Sequence, residues 1–226
     1  MRDHDIRSVL TERLEICCQA DQDTILVEEL GLRGGTVRAD VAVINGCIKG
    51  FEIKSDRDTL KRLARQSEIY SRVFDTMTLV VGECHLKSAL SVVPDWWGIE
   101  TAVTGDHDGI PKLIQLRAEA PNKGVDPLDL VQLLWRDEVL EQLSKKASSV
   151  NYAKSSRKVL WKALADSMSL QNLKDIVRDC LKKRSGWRAV SGKTLDGVMS
   201  RPYAMLSNCP SPLAHSRIRR YIHHPN

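Results

Sequence analysis

Two apolar, β-branched runs, TVRADVAVI (36–44) and CIKGFEIKS (47–55), flank the pair Asn45-Gly46. Asn-Gly between such runs is the strongest short hairpin signal a sequence carries. The runs are therefore expected as antiparallel neighbours joined by a two-residue turn. A hairpin fixes which residues face one another. Asp40 lies five residues before the turn and Glu52 six after it, so the two carboxylates are expected at nearly the same level on adjacent strands.

The remaining elements follow from periodicity. Residues 3–20 carry Ile6, Leu10, Leu14 and Cys17 at helical spacing, with Arg7, Glu12 and Arg13 expected to face away. TILVEEL (24–30) reads as a short strand before the turn-rich GLRGG. A helix is expected from about Thr59 to Val73, with Asp56 or Asp58 as its N-cap. MTLVVG (77–82) reads as a buried strand, 86–92 as a short helix, and WGIETAV (97–103) and KLIQLRA (112–118) as the last strands. Asp126-Pro127 suits a helix start. Leu130, Leu133, Leu134, Val139, Leu140 and Leu143 give that segment one apolar face, and 156–168 and 170–183 read as two further helices. The Ser-, Gly-, Pro- and Arg-rich chain after Gly186 reads as loop. The expected fold is α/β: an α-β-β-β-α-β core with a central mixed sheet over 1–122, then a basic, mainly helical region over 126–226.

Charge divides the chain in the same place. Residues 1–142 hold 17 basic and 25 acidic side chains, a net −8, while 143–226 hold 17 and 4, a net +13. So basic a region is a candidate for polyanion binding. No apolar run approaches the roughly 20 residues that span a bilayer, and the charged N-terminus has no signal-peptide core, so a cytoplasmic protein without a membrane partner is expected. The six cysteines form no CxxC pair and have no His at zinc spacing, and are expected as reduced, buried thiols. There is no phosphate-cradling glycine loop of the G-x-x-x-x-G-K-[ST] kind.

The chemistry concentrates at the hairpin and the helix after it. Opposed carboxylates repel, and a divalent cation converts that repulsion into binding. Hard oxygen ligands suit Mg²⁺. Lys54, two residues beyond Glu52, projects from the same face of its strand. There an ammonium can orient a water or stabilise charge developing on phosphorus. Thr59, Leu63, Gln66, Tyr70 and Val73 form one helical stripe, so Gln66 and Tyr70 are expected to point at the carboxylates.

Asp40 in RAD, Glu52-Ile53-Lys54 and the QSEIY stretch from Gln66 to Tyr70 resemble the PD-(D/E)XK nuclease superfamily, in its RecB-like branch with a Gln-x-x-x-Tyr motif. The run from Ile6 to about Glu83 also resembles a compact bacterial family of mostly uncharacterised proteins within it. The residue before Asp40 is Ala39 rather than Pro, and the literal Pro94-Asp95 pair reads as a turn. The resemblance implies a restriction-endonuclease-like core and Mg²⁺ or Mn²⁺ held by Asp40, Glu52, the Ile53 carbonyl and an upstream acid. Glu29 is preferred to Glu28, which should share a face with Leu26 and Leu30. Lys54, Gln66 and Tyr70 complete the implied catalytic set. The implied activity is phosphodiester hydrolysis in DNA by an endonuclease, in defence or repair. The alternatives are a ribonuclease and a catalytically silent nucleic-acid-binding or scaffold module. Arg62, Arg65, Lys182, Lys183, Arg184, Arg188, Arg219 and Arg220 are the expected nucleic-acid contacts, and the helical C-terminal region could instead dock a protein partner.

Overall fold

The computed structural model describes residues 1–105, 109–145 and 151–184. Six strands form one mixed sheet in sequence order: β1 (Ile25–Leu32), β2 (Val37–Ile44), β3 (Ile48–Lys54), β4 (Thr76–Gly82), β5 (Gly98–Thr104) and β6 (Pro111–Arg117). The pairs β1–β2 and β2–β3 are antiparallel, β3–β4 and β4–β5 are parallel, and β6 returns antiparallel to β5. Helix α1 (Asp3–Gln19) precedes the sheet, α2 (Leu63–Tyr70) links β3 to β4, and α3 (Leu86–Leu90) links β4 to β5. The α-β-β-β-α-β order expected from the sequence is present.

Every residue of β3 and β4 is buried, because both sheet faces are covered. On one face α1 sets Ile6, Leu10 and Leu14 against Val41, Phe51 and Val80. On the other, α2 packs with α4 (Pro127–Val131), α5 (Arg136–Ser144), α6 (Arg157–Asp166) and α7 (Leu170–Lys183) into a single hydrophobic cluster. The described part of the C-terminal region thus shares its core with the sheet. Asp75, at the start of β4, accepts from the Ile48 amide at 2.8 Å and pairs with Lys174 of α7 at 2.6 Å.

Several local expectations are corrected. The hairpin loop has three residues, Asn45 to Cys47, because Ile44 pairs with Ile48 and the Asn45 side chain accepts from the Cys47 amide at 3.1 Å. The helix expected over 59–73 is a 3₁₀ turn, Leu60–Arg62, followed by α2. Asp58 does not cap it, because its carboxylate accepts from both the amide and hydroxyl of Ser55. The long helix after Asp126 breaks into α4 and α5. Asp126 caps the first through the Asp129 amide, while Glu138 reaches back to the Trp135 amide to start the second.

Leu26 and Leu30 do not share a face. Glu29 adopts φ 54°, and the alternation of β1 inverts across it, so Leu26 packs under α1 and Leu30 lies in the opposite cluster. A left-handed, non-glycine residue inside a strand costs of order 1–3 kcal/mol and needs support from its surroundings. The described cysteines form no disulfide with one another; Cys47 and Cys180 are buried as expected, but Cys17 and Cys18 are half-buried and Cys84 is exposed. No helix among the described residues is long and apolar enough to cross a membrane.

Candidate active site

The register places Asp40 opposite Glu52. Val41 pairs with Phe51, and one step further the ladder stops. There Asp40 takes the Ile53 amide with its own Oδ2 at 2.7 Å. The acceptor for β3 is a carboxylate, which holds Asp40 at the mouth of the β2–β3 pair.

Glu52 is 1% exposed, in the middle of a two-sided apolar sheet. Lys54 Nζ donates to its Oε1 at 2.5 Å, and Gln66 Nε2 donates to the same oxygen at 2.6 Å. Tyr70 Oη lies 2.8 Å from Oε2, 2.5 Å from the Arg38 carbonyl and 3.3 Å from Gln66 Nε2. The sequence therefore located Glu52, Lys54, Gln66 and Tyr70 correctly relative to one another: the strand period puts the first two on one face, and the i,i+4 spacing does the same for the others. Tyr70 is held by stacking on Trp97, with centroids 6.1 Å apart, and by an edge contact to Phe74.

Burial, then the Asp40 charge, pushes the Glu52 carboxyl up to about 7, against the pull of Lys54. Burial and the Glu52 charge hold the Tyr70 phenol far above its ordinary value, so it keeps its proton. That single proton cannot serve two acceptors. When it goes to the Arg38 carbonyl, the contact to Glu52 Oε2 needs a proton on Glu52. The hydrogen-bond geometry and the raised carboxyl agree.

Arg7 is the residue the sequence reading missed. Rather than facing away, it donates to the Asp40 carboxylate at 2.7 Å and the Asp40 carbonyl at 3.1 Å, and pairs with Glu29 at 3.5 Å and Asp3 at 3.2 Å. Burial works against its charge, but Asp40 and Asp3 outweigh it and raise the guanidinium above its ordinary value. Arg13 likewise turns inward, to Glu100 at 2.9 Å.

Glu29 joins this arrangement through Arg7 and through Arg38 at 3.8 Å. Glu28 instead lies close enough to Glu15 of α1 to push that carboxyl up, after burial. Among the described residues, no three His, Cys, Asp or Glu side chains converge on one point. The donors that could hold a hard cation are the Asp40 and Glu52 carboxylates and the Ile53 carbonyl. Beside them the Gln66 Oε1 is buried without a partner. This all-oxygen set suits Mg²⁺ or Mn²⁺, with Lys54 and Arg7 now occupying carboxylate oxygens that the ion would share.

The expected nucleic-acid contacts fare unequally. Arg62 and Arg65 are exposed beside Gln66. Lys183 is exposed, whereas Lys182 pairs with Asp23 at 2.5 Å. Arg184 is corrected: its side chain is 3% exposed and bonds Glu138 at 2.6 Å and the Leu133 carbonyl at 2.7 Å, with the guanidinium over the Trp135 ring. Its donors are committed to internal partners, so it is not available to a phosphate. Arg188, Arg219 and Arg220 lie outside the described residues. Asp95 of the Pro94-Asp95 pair is fully exposed in a turn before β5, away from these contacts.

The sequence profile of the family of bacteriophage P4 protein cII matches residues 1–194. Protein cII of Enterobacteria phage P4 is 24% identical over 162 residues, which is 72% of this chain and 60% of that relative. The chain thus spans under two thirds of that protein's length. A solved protein of unknown function from Silicibacter pomeroyi is 18% identical and covers 59% of this chain and 89% of its own, at a TM-score of 0.35. A likeness at that score carries no argument.

Proposed function

We propose that this chain, which belongs to the bacteriophage P4 protein cII family, is a metal-dependent nuclease of PD-(D/E)XK type that hydrolyses phosphodiester bonds in DNA, as an endonuclease. One observation carries the reading: Lys54, Gln66 and Tyr70 all converge on a fully buried Glu52 that stands opposite Asp40. A buried charged cluster is a poor way to stabilise a sheet. Replacing such pairs with apolar residues is often neutral or stabilising, so their presence in the core favours a chemical role.

Asp40, Glu52 and the Ile53 carbonyl would hold Mg²⁺ or Mn²⁺, which when bound supplies a more acidic water and neutralises charge on the scissile phosphate. Asp40 is kept in position by the Ile53 amide and Arg7. Gln66 and Tyr70 fix the Glu52 carboxylate from the helix side. Lys54, an ammonium at the edge of that carboxylate, orients the attacking water and stabilises charge on the phosphoryl oxygens.

A second reading is a nuclease-like fold that binds nucleic acid without cutting it. It is favoured by the cations already paired with each acid, Arg7 with Asp40 and Lys54 with Glu52. A panel of supercoiled plasmid, linear duplex, single strands and RNA, with Mg²⁺, Mn²⁺ or EDTA, separates the readings. Metal-dependent cutting lost in Asp40→Ala supports the nuclease. Binding of the same substrates with no cutting supports the silent module.

A further inference from the structure

We infer that the site's substrate is a duplex, and that its phosphate backbone is gripped along residues 57–65 rather than by the described basic helices of the C-terminal region. This rests on the nucleic-acid reading above and extends it to a path and a strand state.

The segment RDTLKRLAR carries Arg57, Lys61, Arg62 and Arg65, all exposed. Among the described residues, none of these four side chains makes a hydrogen bond or ion pair. The two acids interleaved with them are turned to other partners. Asp56 meets the amino group of Met1 at 3.4 Å, and Asp58 is taken by Ser55. The four cations therefore form a positive strip, bordered at its far end by the exposed Glu68, in the half of the chain whose net charge is negative. The strip leads directly into Gln66, whose amide bonds Glu52, so a backbone held at Arg62 and Arg65 is within about one helical turn of the carboxylates.

The C-terminal helices offer less than their composition promises. Lys174 is spent on Asp75, Lys182 on Asp23, Arg178 on Asp175 and Arg184 on Glu138. Among the described residues, the exposed cations of this region without such a partner are Lys183, at the end of α7, and the cluster of Lys154, Arg157 and Lys158 at and just before the start of α6. That cluster serves as the comparison.

Strand state follows from what the strip lacks. Proteins that hold single strands combine cations with aromatic platforms on which bases stack. No aromatic residue occurs between 57 and 65, and the one large exposed aromatic among the described residues, Trp135, is stacked under Arg184. Cations without stacking fit a regular, continuous backbone, read by charge alone.

The test is the salt dependence of binding by the full chain in EDTA, on duplex and single-stranded DNA of equal length. It compares wild type, Arg57→Ala/Lys61→Ala/Arg62→Ala/Arg65→Ala, and Lys154→Ala/Arg157→Ala/Lys158→Ala. Each phosphate contact removed takes about 0.9 from the slope of log K against log salt on duplex. The first variant is expected to lose roughly 3–4 from that slope, with an unchanged melting temperature, and wild type is expected to bind duplex more tightly. An unchanged slope, a loss confined to the α6 variant, tighter binding to single strands, or no binding overturns the inference. Cutting in Mg²⁺ is scored separately. A protein that cuts but keeps its slope refutes the path and leaves the nuclease reading intact. One that loses the slope and never cuts refutes the nuclease and leaves the path.

Discussion

Asp40 stands opposite Glu52 across β2 and β3, one step beyond the last ladder partners, and its carboxylate takes the amide of Ile53 that follows Glu52. One acid thus ends the strand pairing and is pinned by it, while the other is sealed inside the sheet. Their coupling sets the electrostatics of the site, since the charge on Asp40 adds to burial in raising Glu52.

That coupling predicts a pH dependence of stability. The Glu52 carboxyl rises from an ordinary 4.5 to about 7 in the folded chain. The folded state therefore holds the proton more tightly than the unfolded one. The stabilisation is fully present below about 4.5 and is lost as pH rises through 7. Glu52→Gln should remove this dependence and raise stability at pH 8 by about 1–3 kcal/mol. Urea midpoints at pH 5.5 and 8 for wild type and variant check it; an identical change in both proteins contradicts it.

Metal affinity should move the opposite way. A protonated carboxyl is a poor ligand, and binding must release its proton. Mg²⁺ affinity measured by calorimetry is expected to weaken below pH 7, with proton uptake by the buffer near pH 6.5. Affinity that is flat from pH 6 to 8 would show that Glu52 is not a ligand.

Tyr70→Phe deletes the contacts to the Arg38 carbonyl and to Glu52 but keeps the ring on Trp97. A cost of about 1–2 kcal/mol in chemical denaturation is expected. Tyr70→Ala should cost more, about 3–5 kcal/mol, because the aromatic stack is lost as well.

Arg184→Ala should destabilise the fold by about 2–4 kcal/mol, since it leaves Glu138 and the Leu133 carbonyl without their partner. Its duplex affinity, measured where the variant is folded, should match wild type. Weaker binding at full stability would return Arg184 to the nucleic-acid surface.

Gly50 lies under Met77 and Phe74, and a Cβ there would sit 2.2 Å from the Met77 sulfur and 2.9 Å from the Phe74 ring. Gly50→Ala is expected to cost about 1–3 kcal/mol by overpacking, read as a lowered melting temperature.

Much of this geometry was legible in the sequence because it rests on short periods. The hairpin residues Asn45 and Gly46 set two strands side by side, the spacing of Glu52 and Lys54 put them on one face, and Gln66 and Tyr70 shared a helical stripe. The loop proved one residue longer than expected, yet Asp40 and Glu52 still came opposite. What escaped was non-local. Arg7 reaches Asp40 from 33 residues away, and no periodicity records such a pairing. The inversion at Glu29 depends on a backbone conformation that few side chains favour, so alternation mispredicted the partner of Leu30. Arg184 looked like a free cation because composition counts charges without their partners. Glu138 and Trp135 lie 46 and 49 residues before it.

The central claim is tested most directly by metal-dependent cutting of supercoiled plasmid, wild type beside Lys54→Ala. Lys54 is buried against Glu52 and makes no other hydrogen bond or ion pair among the described residues. Cutting by wild type in Mg²⁺ or Mn²⁺ but not in EDTA, slowed at least about 100-fold in the variant, is the predicted result. A folded wild type that leaves the plasmid intact in both metals, or a Lys54→Ala variant that cuts as fast as wild type, would contradict it.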